Sequence, residues 1–317
     1  MKHLQSFSLF EARKTSDLTQ NQKTFLTRYT QGTWSVNRQT GLVDVEGNFD
    51  CSYSRLKSLS GISFGHVSGY FYCSYNPLTS LEGAPQTVGG DFYCLNNQLT
   101  TLVGAPQTVD GDFSCDNNQL TSLVGAPQTV GGDFSCYGNQ LTSLAGAPQT
   151  VDGDFSCQGN QLISLSGAPQ TVDGNFWCHQ NQLTSLIGAP QTVDGDFYCS
   201  RNRLTSLEGA PQTVGEDFSC DSFTLQRGEW NPLGWTEILA TGDSKARSLI
   251  VTLPQIKPDF WLELYRTNRK NFYDLWLTYR QDPQIRKTEL FQQVESSLPG
   301  QAKSSLEDLE DLRDLGI

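Results

Sequence analysis

From residue 58 to residue 200 the chain contains no lysine and no arginine. Nucleic-acid backbones and anionic membranes are gripped by clustered cations that displace counterions, so this stretch should repel both. Residues 47–220 hold fifteen acidic side chains against four basic ones (Arg55, Lys57, Arg201 and Arg203), which is −11 of the chain's formal −12. Long apolar runs are missing as well. No segment approaches the roughly eighteen residues of a bilayer span, and MKHLQSFSLFEARKTS lacks the unbroken apolar stretch of a secretory signal. Neither membrane insertion nor classical secretion is expected. Histidine is scarce (His3, His66 and His179) and no C-x-x-C occurs, which argues against a zinc centre. No nucleophile with a matching base, no metal set and no phosphate loop is evident, so no catalytic role and no cofactor are expected. What remains, 317 residues at 37% hydrophobic, is enough to bury a core and to form more than one folding unit.

Cysteine, by contrast, is abundant and regular. The nine cysteines stand at 51, 73, 94, 115, 136, 157, 178, 199 and 220, every interval being 21 residues except the first, which is 22. Each marks a unit of the form V-x-G-D-F-x-C-x-x-N-Q-L-T-S-L-x-G-A-P-Q-T, and GAPQTV occurs seven times, from Gly83–Val88 to Gly209–Val214. A period of this length signals a solenoid, propeller or array. Twenty-one residues are too few for a helix pair or a propeller blade, whereas one short strand with a tight return fits. Alternation in F-x-C turns Phe113 and Cys115 to one side and Ser114 and Asp116 to the other. Asn118 leaves the strand, where its amide can bond backbone groups of the turn and form a ladder with Asn97, Asn139, Asn160, Asn181 and Asn202. Leu120 and Leu123 return to the core, and Gly125 and Pro127 bend the chain back. In-register parallel side chains point the same way rather than toward each other, and nine is odd. A buried row of reduced thiols is therefore expected, with disulfides between rungs the minor alternative.

The pattern F-x-C-x-x-N-x-L-x-x-L resembles the leucine-rich repeat L-x-L-x-x-N-x-L-x-x-L, with Phe and Cys in two leucine positions, over roughly residues 47–222. The short unit and its proline-containing return are most similar to bacterial and phage leucine-rich repeats. That resemblance implies an α+β protein: a solenoid of about nine single-strand rungs with an extended convex side, capped at both ends because an open end rung would template other strands. A flexible leader (1–16) would precede an N-terminal cap (17–46). In the cap, Thr19-Gln20-Asn21-Gln22 resembles a capping box opening a helix through Phe25, Leu26 and Tyr29, with Gly32 placed to end it. Trp34, Val36, Leu42, Val43 and Val45 then suggest a hairpin. The solenoid (47–222) would give way to a helical C-terminal domain (223–317), partly packed on the last rung. There Trp230, Trp235, Trp261 and Trp276, with Phe260, Tyr265, Phe272, Tyr273 and Tyr279, supply core rather than binding surface. Asp243, Pro258 and Pro283 are helix-start signals, and SSLEDLEDLRDLGI repeats leucine at helical spacing.

If this register holds, the outward positions form rows that vary while the rest of the unit does not. The row before cysteine reads Asp50, Tyr72, Tyr93, Ser114, Ser135, Ser156, Trp177, Tyr198, Ser219, and the row after it Ser52, Ser74, Leu95, Asp116, Tyr137, Gln158, His179, Ser200, Asp221. Such concentrated variation suits a protein-binding face, and drift on an unconstrained face would produce it too. Tyr70, Tyr72, Tyr75 and Tyr93 form one candidate contact patch, and Trp177, His179, Tyr198 and Arg201 a second, with Tyr137 between them. Tyr, Trp and Arg are the residue types of interface hot spots. One carboxylate per rung (Asp91, Asp112, Asp133, Asp154, Asp196, Asp217) is expected to accept hydrogen bonds from turn amides. Calcium bridging through Asp110, Asp112, Asp152, Asp154, Asp194 and Asp196 is the alternative use.

The opening MKHLQSFSLFEA resembles the leader of internal head proteins of T-even-like phages, cut after an L/I-x-E site that Leu9-Phe10-Glu11 would supply. The expected protein is therefore a non-catalytic recognition scaffold, phage-encoded, resident in a bacterial host's cytoplasm or in the virion. The alternatives are a structural virion component and an adhesin that stacks sugars on the tyrosine patch.

Overall fold

A computed structural model of the chain describes residues 18–230 without interruption and, beyond them, 235, 238, 244–250, 252–253, 256–267, 269–280, 286, 289–300, 302–303 and 306. The leader with its Leu9-Phe10-Glu11 site, the helix-start signals Asp243 and Pro283, and the C-terminal leucine spacing apart from Leu306 lie outside the described residues.

Helix α1 (Gln20–Tyr29) begins as its sequence dictates. Thr19 Oγ1 accepts from the Gln22 N–H, and Gln22 Oε1 accepts from the Thr19 N–H at 2.8 Å, a reciprocal capping box. Gly32 does not end this helix, contrary to the sequence expectation. The helix closes at Tyr29, and Gly32 lies inside strand β1 (Thr30–Val36), which forms an antiparallel hairpin with β2 (Val43–Asp50). Its role there is close approach. Gly32 pairs with Gly47, and a Cβ on either would come within 2.1–2.2 Å of a facing carbonyl oxygen, so only two glycines let the strands cross.

Strand β2 is the branch point of the molecule. Its first half pairs in parallel with β3 (Phe64–Val67) and its last two residues with β4 (Phe71–Tyr72). Two parallel ladders grow from there, one rung at a time: a Thr-Val ladder that runs from Thr87–Val88 to Thr150–Val151 and resumes as a separate three-stranded sheet from Thr171–Val172 to Thr213–Val214, and an unbroken Phe ladder from Phe92–Tyr93 to Phe218–Ser219. The sequence alone placed one strand in each rung. The extended return carries the second, since proline fixes its direction and the β-branched Thr-Val pair favours pleated backbone with Val turned inward. Gly125 marks why the bend is tight. Its φ is +97°, and a Cβ there would sit 2.6 Å from the Val103 nitrogen of the previous rung.

The core is a set of rows. Nine phenylalanines from Phe49 to Phe218 stack at 5.1–5.5 Å between ring centroids, and Leu120 and Leu123 with their equivalents close the opposite wall. Both ends of the stack are covered. Phe25 of α1 lies 5.8 Å from Phe49, and Trp230 lies 4.0 Å from Phe218 while its indole N–H donates to the Pro211 carbonyl. Asparagine supplies the polar seam: Asn139 Nδ2 donates to the carbonyls of Cys115 and Cys136, and its Oδ1 accepts the Leu120 N–H, a set repeated rung after rung.

All nine cysteines are free and buried. Several thiols donate to the next rung's carbonyl, as Cys136 does to Ser156 at 3.3 Å. Burial pushes every thiol up, Cys51 to about 12, so the row is protonated and unreactive in the folded state. Thermal unfolding should accordingly be the same with and without dithiothreitol, and native protein should resist iodoacetamide until denatured. Cooperative unfolding on reduction would overturn the reduced-thiol assignment.

Beyond the solenoid stand α2 (Ser244–Ile250), α3 (Pro258–Thr267), α4 (Arg269–Arg280) and α5 (Glu289–Ser297). Pro258 opens α3, where its missing N–H costs nothing. Trp261, Phe272 and Trp276 are fully buried, with Phe291 stacked on Trp276 at 5.4 Å, so these aromatics are core. The Leu207 N–H donates to Thr252 Oγ1, tying the last full rung to the segment after α2. Among the described residues no helix is long and apolar enough to cross a membrane.

Candidate binding face

The Phe ladder sets the register of everything outward of it. Tyr72, Tyr93, Ser114, Ser135, Ser156, Trp177, Tyr198 and Ser219 are successive Cα partners and form one continuous column. The column two residues earlier carries one carboxylate per rung except at Tyr70 and Asn175, and the column two residues later carries Ser74, Leu95, Asp116, Tyr137, Gln158 and His179. Three of the serines expected to be displayed are nearly covered: Ser74 is 5%, Ser114 8% and Ser156 6% exposed. Each is a short side chain set beside taller neighbours, and sequence gives direction but not height.

At the N-terminal rungs the tyrosines divide into two stacks. Tyr70, Tyr72 and Tyr93 stack at 4.1 and 4.6 Å, while Tyr75 stacks instead on Tyr53 at 4.3 Å. Between them lies a cleft of about 390 Å³, lined also by Asp50, Ser52, Ser74 and Leu95. The Tyr72 hydroxyl donates to Asp91 and the Tyr93 hydroxyl to Asp112, which pins the rings. Burial first, and then the Asp91 charge, push the Tyr72 phenol to about 12; Tyr93 is raised by the same causes. On the cleft floor the Ser74 hydroxyl has no hydrogen-bond partner. Tyr53 was missed in the sequence although the signal was there, since it stands two residues after Cys51 as Tyr75 does after Cys73. That position has left-handed backbone in most rungs: Tyr53, Tyr75, Asn96, Asn117, Gln180 and Arg201 lie at φ of 52–56°, and glycine fills it at 138 and 159.

Trp177, His179, Tyr198 and Arg201 are brought together on adjacent rungs. Trp177 and Tyr198 are register partners, and the His179 imidazole is held below its usual value, by burial first and by the Arg201 charge second. Tyr137, partly exposed, belongs to neither cluster; its N–H donates to Asp116, and its ring lies over Gly159. A group of buried polar atoms at this end is unpartnered: Ser156 Oγ, Gln158 Oε1, Trp177 Nε1 and His179 Nδ1.

The carboxylate column accepts main-chain amides across rungs. Asp91 accepts from the Asp112 N–H, Asp112 from Asp133, Asp133 from Asp154, and Asp196 from Asp217, at 2.7–3.0 Å. Asn175 replaces a carboxylate in the same role, taking the Asp196 N–H at 2.7 Å. Of the calcium candidates, Asp112, Asp154 and Asp196 thus have an oxygen engaged, while Asp110, Asp152 and Asp194 are exposed between the ladders. No group of three or more His, Cys, Asp or Glu side chains among the described residues is arranged to hold a metal ion. A second groove, of about 700 Å³, lies beside the repeated Gly83–Thr87 and Gly104–Gln107 turns. Its lining is largely the unvarying part of the repeat, so it carries little that distinguishes one rung from another.

No protein-family model matches the chain, and no curated protein matches it significantly in sequence.

Proposed function

We propose that this protein is a non-catalytic recognition scaffold of the leucine-rich-repeat type, gripping a partner protein with the outward, concave side of its Phe ladder. One observation carries the proposal: the outward columns vary along a ladder whose core rows repeat unchanged, with Tyr72, Tyr93, Trp177 and Tyr198 on its strands and Tyr53 and Tyr75 at the turn that follows them. Rigid aromatics lose little entropy on binding, which is why they anchor interfaces. The leader's likeness to phage head-protein leaders favours a phage-encoded protein packaged in the virion, whose mature form would begin at Ala12.

The test is a double variant, Trp177→Ala with Tyr198→Ala, compared with Gln128→Ala with Thr129→Ala on the other ladder. The first pair should weaken a captured partner at least tenfold while leaving the unfolding midpoint within a few degrees, and the second should do neither. Equal affinity in all three proteins would refute recognition through this face.

A further inference from the structure

Along the outward column the aromatics stop and restart. Tyr93 is followed by Ser114, Ser135 and Ser156 and then by Trp177, so three small residues separate two large ones on successive rungs. At the rung spacing of a parallel sheet, about 4.8 Å, Tyr93 and Trp177 stand about 19 Å apart. Tyr93 is stacked on Tyr72 with only 3° between the ring planes, so its other face looks down the column over the serines. The serine strip is a trough with an aromatic wall at each end.

Its flank is acidic. Asp112, Asp133 and Asp154 line one side, Asp116 begins the other, and the carboxylate column turns neutral at Asn175, the rung of Trp177. No lysine or arginine occurs from residue 58 to residue 200 to neutralise these charges. A second observation points to a ligand. Ser156 on the trough floor is 6% exposed and its hydroxyl is unpartnered, and the Gln158 carbonyl oxygen and the Trp177 indole N–H beside it are likewise buried without partners.

We propose that this trough holds an extended, arginine-rich segment of the partner protein, about five residues long, with its guanidinium groups on the carboxylates and on the open face of Tyr93. The length follows from about 16 Å of free span at about 3.3 Å per extended residue, and the chemistry from charge-assisted hydrogen bonds and cation–π contact. The inference rests on the recognition reading and specifies what the face takes.

The probe is a fluorescein-labelled heptapeptide alternating glycine and arginine, titrated at physiological salt so that distant charges are screened. A glycine–glutamate heptapeptide is its control. Asp133→Asn with Asp154→Asn removes two charges but keeps the amide-accepting oxygens, as Asn175 does naturally. Glu82→Gln with Glu208→Gln removes two charges elsewhere. The arginine peptide should bind, with affinity at least tenfold lower in the Asp133/Asp154 pair, at least fivefold lower in Tyr93→Ala, and within twofold of wild type in the Glu82/Glu208 pair. Equal weakening in both charge pairs would reduce the effect to diffuse attraction and overturn the proposal, as would arginine peptide binding no better than glutamate peptide. If the peptide fails while a captured partner still depends on Trp177 and Tyr198, the recognition reading stands and only the basic-segment chemistry falls.

Discussion

Raising the pH from 8 to about 10 is expected to unfold the solenoid. Every cysteine is buried and has its thiol pKa raised in the folded state, by burial above all. In the unfolded chain the same thiols ionise near their ordinary value, about 8.5. A folded pKa above the unfolded one means that the contribution is fully present below the unfolded value and is lost as pH climbs toward the folded one. The window therefore opens near pH 8.5 and extends to about 12 for Cys51. Each thiol removes about 1.4 kcal/mol of stability per pH unit within it, so nine together remove about 12 kcal/mol per unit, which matches the roughly 5–15 kcal/mol that holds an ordinary domain. Circular dichroism against pH, in reductant, should show cooperative loss between about pH 9 and 10. Replacing Cys115, Cys136 and Cys157 by alanine should lower stability at pH 7 through lost packing, yet make the alkaline slope shallower by about a third. A fold unchanged at pH 10.5 would contradict the buried-thiol core.

Asn139→Leu is expected to cost about 3–6 kcal/mol. The side chain is 7% exposed and is the partner of three main-chain groups, donating to the Cys115 and Cys136 carbonyls and accepting the Leu120 N–H, while a fourth, the Tyr137 carbonyl, also takes the Asn117 N–H. Leucine is of similar size and more apolar, but it leaves those three groups buried and unpaired at about 1–3 kcal/mol each, with part recovered by relaxation. In a one-dimensional fold the loss falls on the contacts between neighbouring rungs, so urea unfolding should shift to lower concentration and become less cooperative. Asn139→Asp keeps the acceptor but turns a carboxylate toward two carbonyls. It should be worse than leucine at neutral pH and recover toward pH 4, where the protonated acid can donate. A loss below about 1 kcal/mol for Asn139→Leu would show that the asparagine seam is dispensable.

Much of this architecture was written in the repeat. Phe113, Cys115, Leu120 and Leu123 had to be inward because a 21-residue coil with period-two alternation leaves them no other place, and Asn118 had to serve the turn because, unlike its amide neighbours Asn117 and Gln119, it recurs at the same place in every rung from Asn76 to Asn202. What was not legible depended on neighbours across rungs. The burial of Ser114 and Ser156 arises from the height of adjacent side chains, and the pairing of Tyr75 with Tyr53 arises from a left-handed position whose columns must be aligned before it is seen. Gly32 reads as a helix end in the sequence because glycine often stands there; its actual task, lying against Gly47, is set by a residue fifteen positions later in the hairpin. The second ladder was hidden because two residues, Thr and Val, are too short a run to announce a strand by themselves.

The recognition account is tested most directly by oxidative footprinting of the protein with its captured partner. Hydroxyl-radical modification of Tyr75, Trp177 and Tyr198 should fall at least severalfold on binding, while Val103, Val124 and Ile187, exposed at the turns before the Thr-Val ladder, should be modified as in the free protein. Protection confined to those turn residues, with the three aromatics still fully reactive, would place the interface on the other side of the solenoid and contradict the account.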